Sequence, residues 1–187
     1  EIQIAQELLT KGHYRDSLSR FENIIIKIQG NPNFEKYILF DALLDLGFLN
    51  WKMGLYKDAS EVLDRALMII ETEYPNDHLR TCKVLNQMAR VKISEGESDS
   101  AKKLSERIIK IANSCSDICK MQLARAYDSL GMINYENGLL EQAKKLLDES
   151  LLIKEAYEGP DKNCELGTTL NRIGRVYFQQ FQDRKSV

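Results

Sequence analysis

Leu43-Leu44-Asp45-Leu46-Gly47-Phe48-Leu49-Asn50-Trp51-Lys52-Met53-Gly54-Leu55-Tyr56-Lys57-Asp58-Ala59-Ser60-Glu61-Val62-Leu63-Asp64-Arg65-Ala66-Leu67 holds two apolar stripes with a break between them. In the first half, apolar residues recur at helical spacing. Gly54 interrupts that pattern and Tyr56 opens a second helix. There Ala59, Val62, Leu63, Ala66, Leu67 and Ile70 form a stripe at steps of three and four. A glycine between the two stripes suits a helix C-terminus, where positive φ is needed. Gly47 and Ala59 are small, as required where two antiparallel helices cross closely.

The same arrangement repeats along the chain. Gly12, Gly54, Gly96 and Gly138 are each 42 residues apart. Five residues after them stand Ser17, Ala59, Ala101 and Ala143, and seven before them Ala5, Gly47, Ala89 and Gly131. Gly174 continues the last series at a step of 43. Leu46, Met88, Leu130 and Ile173 precede the small residue each time. Several columns held in register mean stacked supersecondary units. The pattern predicts helices at about 1–11, 14–29, 34–53, 56–73, 77–95, 98–113, 117–137, 140–157 and 161–182. Turn-rich joints follow at Gln29-Gly30-Asn31-Pro32, Tyr74-Pro75-Asn76 and Glu158-Gly159-Pro160. Asp77, Asp117 and Asp161 are expected N-caps, and Ser98 is expected to open a second helix.

These offsets resemble the tetratricopeptide signature, carried best by Leu43, Leu46-Gly47, Gly54, Tyr56, Ala59, Leu63 and Ala66-Leu67. The usual unit has about 34 residues. The longer unit here is similar to the repeats of kinesin light chains. Val84-Leu85-Asn86-Gln87-Met88-Ala89 and Thr169-Leu170-Asn171-Arg172-Ile173-Gly174 resemble that variety's T-L-N-N-L-A stretch. Tyr157-Glu158-Gly159-Pro160-Asp161-Lys162 and Tyr74-Pro75-Asn76-Asp77-His78 resemble its linker, whereas the joint at Ser114-Cys115-Ser116-Asp117 does not. The resemblance implies an all-α fold, a right-handed superhelix (α-solenoid) of stacked antiparallel helix pairs with about four to four and a half units. The expected units are about 1–31, 32–74, 75–115, 116–158 and a partial 159–187 in a single array. A chain that begins inside a repeat helix is expected to be a fragment of a longer protein.

Composition narrows the function. The 187 residues carry a net charge of -2, so no strongly basic surface for nucleic acid is expected. No apolar run reaches the ~20 residues that cross a bilayer, and no signal peptide is visible, so a cytoplasmic protein is expected. Cys82, Cys115, Cys119 and Cys164 fit neither a disulfide framework nor a CxxC pair, and are expected to be partly buried, inert thiols. With His13 and His78 far apart in sequence, no tetrahedral metal set is completed. There is no phosphate loop, nucleophile elbow or Cys–His context. No catalytic residue, metal or cofactor is expected, and the chain is not expected to be an enzyme.

The resemblance implies that first helices line a concave surface. Counting from the small residue at each crossing, the inward positions lie three before, one after and four after. They are Leu44, Phe48 and Trp51, then Asn86, Arg90 and Ile93, then Asp128, Met132 and Tyr135, and last Asn171, Arg175 and Phe178. Asn86 and Asn171 carry amides that can hydrogen-bond a peptide backbone. Arg90, Arg172 and Arg175 can pair with acidic side chains. Phe48, Trp51, Tyr135 and Phe178 can hold an apolar anchor. The expected ligand is an extended, acidic peptide with an apolar anchor, which makes the chain an adaptor or scaffold for another protein. Three alternatives stand beside it. They are the ligand-sensing part of a bacterial peptide-pheromone-type regulator, an RNA-binding array, and a structural segment that self-associates through uncapped ends, where Ile173, Val176, Tyr177 and Phe181 are expected to be partly exposed.

Overall fold

The computed structural model describes residues 1–30, 35–115 and 117–185. Asn31, Pro32 and Ser116, which belong to two of the expected joints, lie outside the described residues. Those described form α1 (Ile2–Thr10), α2 (Tyr14–Gln29), α3 (Lys36–Lys52), α4 (Tyr56–Glu73), α5 (His78–Ser94), α6 (Ser98–Ser114), a 3-10 turn (Asp117–Cys119), α7 (Lys120–Glu136), α8 (Leu140–Glu155) and α9 (Lys162–Lys185), with no strand among them. The fold is all-α, as expected. Contacts gather into two compact units, Glu1–Glu95 and Gly96–Val187.

The first unit holds α1 to α5. Its turns follow from their glycines. Gly54 has φ +77°, a region in which a side chain is strained. The turn satisfies two orphan carbonyl acceptors at the end of α3. Gly54 N–H donates to Trp51 C=O at 3.0 Å and Leu55 N–H to Asn50 C=O at 2.9 Å, the paired pattern that closes a helix C-terminus. The chain then doubles back, and α4 packs on α3. A Cβ built on Gly47 would stand 2.6 Å from Leu63 Cδ2, so the glycine is there to admit the leucine. Leu63, with Ala59, Ala66 and Ile70, is fully enclosed; burying a leucine contributes roughly 1.5–3 kcal/mol. In the α1/α2 pair the small column carries Ser17, whose Oγ donates to Ala5 C=O at 2.8 Å in a buried setting, so its polarity is satisfied.

The joint between α4 and α5 is built from the linker residues. Asp77 caps α5 as expected, its Oδ1 accepting from the Arg80 N–H at 3.0 Å. Tyr37 stacks on Tyr74 with ring centroids 3.6 Å apart, and the Arg80 guanidinium lies 4.4 Å over Tyr37.

The second unit repeats the crossing in α7 and α8. A Cβ on Gly131 would lie 2.8 Å from Leu147 Cγ and 3.3 Å from the Ala143 carbonyl oxygen. Then α9 lies against α8 through Ile173 and Val176, which join Ala143 and Leu147 in a small core.

Several local expectations need correction. Asp117 begins a 3-10 turn rather than capping α7, whose N-cap is Cys119. Ser98 does open α6, as expected, although no side chain caps that end. The last helix runs on to Lys185, with Gly167 and Gly174 inside it. Of the four cysteines, Cys82 and Cys119 are buried and Cys115 half-buried, but Cys164 is exposed on α9.

Candidate functional site

In the first unit the expected row gathers on α3 and α5. Phe48 and Trp51, three residues apart, share a face of α3 with ring centroids 5.7 Å apart. From α5 the Arg90 guanidinium lies 4.9 Å from the Trp51 ring and 5.8 Å from that of Phe48. The Lys52 ammonium sits 5.2 Å from the Trp51 ring centroid. The indole N–H of Trp51 donates to Ser94 Oγ at 2.8 Å, which fixes the ring. Phe48, Trp51 and Arg90 are all half-buried, so their packed sides orient them and the remaining surface faces water. Two cations over aromatic faces, each such contact contributing about 0.5–1 kcal/mol when exposed, make a patch that can take an apolar group with an acidic neighbour.

Beside this patch is a polar pair that sequence reasoning did not single out. Asp45 accepts a hydrogen bond from Gln6 Nε2 at 2.7 Å. Burial pushes its carboxyl above the usual range, against the Gln6 hydrogen bond and Lys83, and Asp41 adds to the rise.

Asn86 does not stand in the solvent-facing row. It is only 5% exposed, because α5 buries Thr81, Cys82, Val84, Leu85, Ala89 and Val91 as well and is enclosed on more than one face.

In the second unit the row separates into two groups. Asn171, Arg175 and Phe178 are exposed on one face of α9, being four and three residues apart. Arg175 lies 4.9 Å over the Tyr135 ring of α7. This second aromatic and cationic pair is open to solvent.

Asp128 and Arg172 belong elsewhere. Asp128 is 2% exposed, and its carboxylate accepts from Lys154 Nζ at 2.7 Å, Arg172 Nη1 at 2.7 Å and Thr169 Oγ1 at 3.0 Å. Lys154 also reaches Glu165 at 2.9 Å and Thr169 at 2.9 Å. Arg125 completes the cluster with two bonds to Glu165, at 2.7 and 2.9 Å. Burial would raise the Glu165 carboxyl, but the hydrogen bonds and charges of Arg125 and Lys154 hold it below the usual range. These groups satisfy one another and pin α9 to α7 and α8; the expected ligand roles of Asp128 and Arg172 give way to a structural one. Lys154 was missed by sequence reading. A signal existed, since it stands seven residues after Leu147 on the stripe that faces the core.

Among the described residues no three His, Cys, Asp or Glu side chains come together as a metal site, and no helix is long and apolar enough to cross a membrane.

Two family profiles described as tetratricopeptide repeat match residues 39–114 and 123–161, together more than half of the chain. No curated protein sequence matches it. Among solved structures, BtubC (BKLC) from P. vanneervenii has a TM-score of 0.75 at 19% identity, over 99% of this chain and 74% of that one. The apo form of RapI has a TM-score of 0.73 at 15% identity, over 97% of this chain and 48% of that one. Repeats of a putative kinesin light chain of Podosopora anserina have a TM-score of 0.65 at 18% identity, over 98% and 87%. At these identities the likeness is one of fold.

Proposed function

Since the chain belongs to the tetratricopeptide-repeat family, a fold that serves as a protein-interaction module, we propose that it is a non-catalytic adaptor that captures a peptide segment of a partner protein on the first-helix face of its first unit. The observation that carries this reading is the cluster of Phe48, Trp51, Lys52 and Arg90. Its aromatic rings are held by packing and by the Ser94 hydrogen bond, and its cations stand beside them. Rigid aromatic surface next to arginine is the composition of binding hot spots. The ligand that fits is an acidic peptide segment with one apolar or aromatic side chain, the anchor covering Trp51 and Phe48 while carboxylates reach Lys52 and Arg90. In the second unit Asn171, Arg175, Tyr135 and Phe178 offer the same chemistry and would contact the same kind of peptide. The exposed thiol of Cys164 suits a reducing, cytoplasmic setting.

A peptide-array screen tests this, run with the wild type and with Phe48→Ser, Arg90→Glu. Acidic peptides with an aromatic residue, bound by the wild type and lost by a folded variant, support the reading. Equal retention by both proteins moves recognition off this face. Salt-sensitive RNA binding with no peptide captured would instead favour an RNA-binding array.

A further inference from the structure

Between α7 and α9 the cations outnumber the carboxylates that answer them. Lys154, Arg125 and Arg172 are held by two acids, Asp128 and Glu165, and each acid serves two cations. Asp128 takes Lys154 and Arg172, while Glu165 takes Lys154 and Arg125. One positive charge is left over inside the cluster. Arg175, three residues beyond Arg172 and so its neighbour on the helix surface, adds a second. Its guanidinium rests on the Tyr135 ring, and among the described residues it makes no ion pair. Glu136, the exposed residue after Tyr135, forms none with it.

This surplus sits where a ligand can reach it. Arg172 meets Asp128 through Nη1 at 2.7 Å, yet its side chain is still 28% exposed. A guanidinium carries five N–H donors, so most of those on Arg172 remain for another acceptor. Arg175 is exposed apart from its ring contact. On α7, Asp128, Met132 and Tyr135 share one face at steps of four and three, and Met132 between the other two is buried. The two arginines thus stand along a short strip of α7, each already oriented by a residue of that helix. Both walls of this groove, α7 and α9, belong to the chain itself.

We infer that this groove takes a phosphorylated side chain of the captured peptide, an assignment that rests on the reading of the chain as a peptide-binding adaptor. A carboxylate carries one charge and answers half of the surplus. A phosphate monoester carries about -1.5 to -2 at neutral pH and offers three strong acceptor oxygens, enough for two guanidinium groups. The planar fork of arginine matches phosphate geometry bidentately. Because Asp128 and Tyr135 hold the two side chains before binding, less rotamer entropy is lost on capture. The acidic character that the second unit recognises is then supplied by phosphorylation of the partner, and a kinase and a phosphatase acting on that partner would switch its capture.

The test uses the full chain and the acidic, aromatic peptides of the array above, each made in three forms that differ at one acidic position: phosphoserine, glutamate and serine. Titration is expected to show the phosphoserine form binding at least about tenfold tighter than the glutamate form. Arg175→Gln is expected to cut that advantage to about twofold or less with an unchanged helical spectrum, since the site is exposed, and Arg175→Lys to restore part of it by returning charge without the fork. Arg90→Glu, in the first unit, is expected to weaken all three forms and leave the ratio between phosphoserine and glutamate in place. Equal affinity for the phosphoserine and glutamate forms overturns the inference and leaves peptide capture standing. An advantage that survives Arg175→Gln overturns this groove as its source. Binding of no peptide in any form overturns both the inference and the reading beneath it.

Discussion

Lys154 Nζ lies 2.7 Å from Asp128 Oδ2, and the lysine side chain has no exposed surface at all. This ammonium is held by Asp128, Glu165 and Thr169, from α7 and α9. Removing one partner of a buried charge network leaves the others unpaired, which costs about 3–5 kcal/mol. Lys154→Met should therefore destabilise the chain by about 3 kcal/mol or more in urea unfolding. Asp128→Asn added to it should cost less than the sum of the two single changes, because the second change removes a charge the first left stranded.

Acid should weaken the same region. The folded Glu165 carboxyl is depressed, since Arg125 and Lys154 outweigh burial. The stability it contributes is complete above the ordinary carboxylate value, about 4.3, and is lost as pH falls through the lower folded value. Asp45 acts the other way. Its folded carboxyl is raised by burial, so the folded state takes up that proton first and gains stability from it as pH falls. Chemical denaturation from neutral to acid pH should show a flatter loss of stability in Glu165→Gln and a steeper one in Asp45→Asn.

Three glycines in one column should respond differently to alanine. Gly47→Ala and Gly131→Ala drive a methyl into Leu63 and Leu147 and should cost about 1–3 kcal/mol from overpacking. Gly174→Ala meets nothing. In dilute solution it should gain about 0.5–1 kcal/mol of helix propensity. Thermal melts of the three variants check the register.

Trp51 is the single tryptophan, so it reports on its own patch. Binding of an acidic, aromatic peptide should change its emission. Arg90→Ala should weaken that binding by about tenfold, as read by titration.

The cap at Asp77 is a local feature with a local cost. Asp77→Ala removes the acceptor of the Arg80 N–H and a partner of its guanidinium. Melting should show a loss of about 1 kcal/mol, within the ordinary range for an N-cap.

Much of the fold was legible in the sequence because its determinants are short-range. Helix ends at Tyr14, Gln29, Tyr56 and Glu73 fall where the apolar stripes start and stop. The turn glycines Gly12, Gly54, Gly96 and Gly138 all have positive φ, as a helix C-terminus requires. Gly47 and Gly131 sit at the close crossings that their register indicated.

The candidate site was less legible. Residue type and register alone place Asn86 and Asp128 alongside Trp51 and Arg175, yet the first two are enclosed and the last two reach solvent. Whether a polar side chain faces a ligand depends on which helices pack beside its own, and no periodicity within one helix carries that information. Lys154 shows the limit in the opposite direction. Its place on the core stripe was readable, but a lysine can stay there only because Asp128, Glu165 and Thr169 come from other helices to meet it.

The sequence by itself thus determined the helices, their turns and the repeating close crossings, because spacing and glycine conformation act within a few residues. Only the tertiary structure decided which charges are consumed in holding α9 and which aromatic and cationic groups still reach solvent. Burial and ion pairing are properties of neighbouring helices together, and they are set by packing across dozens of residues.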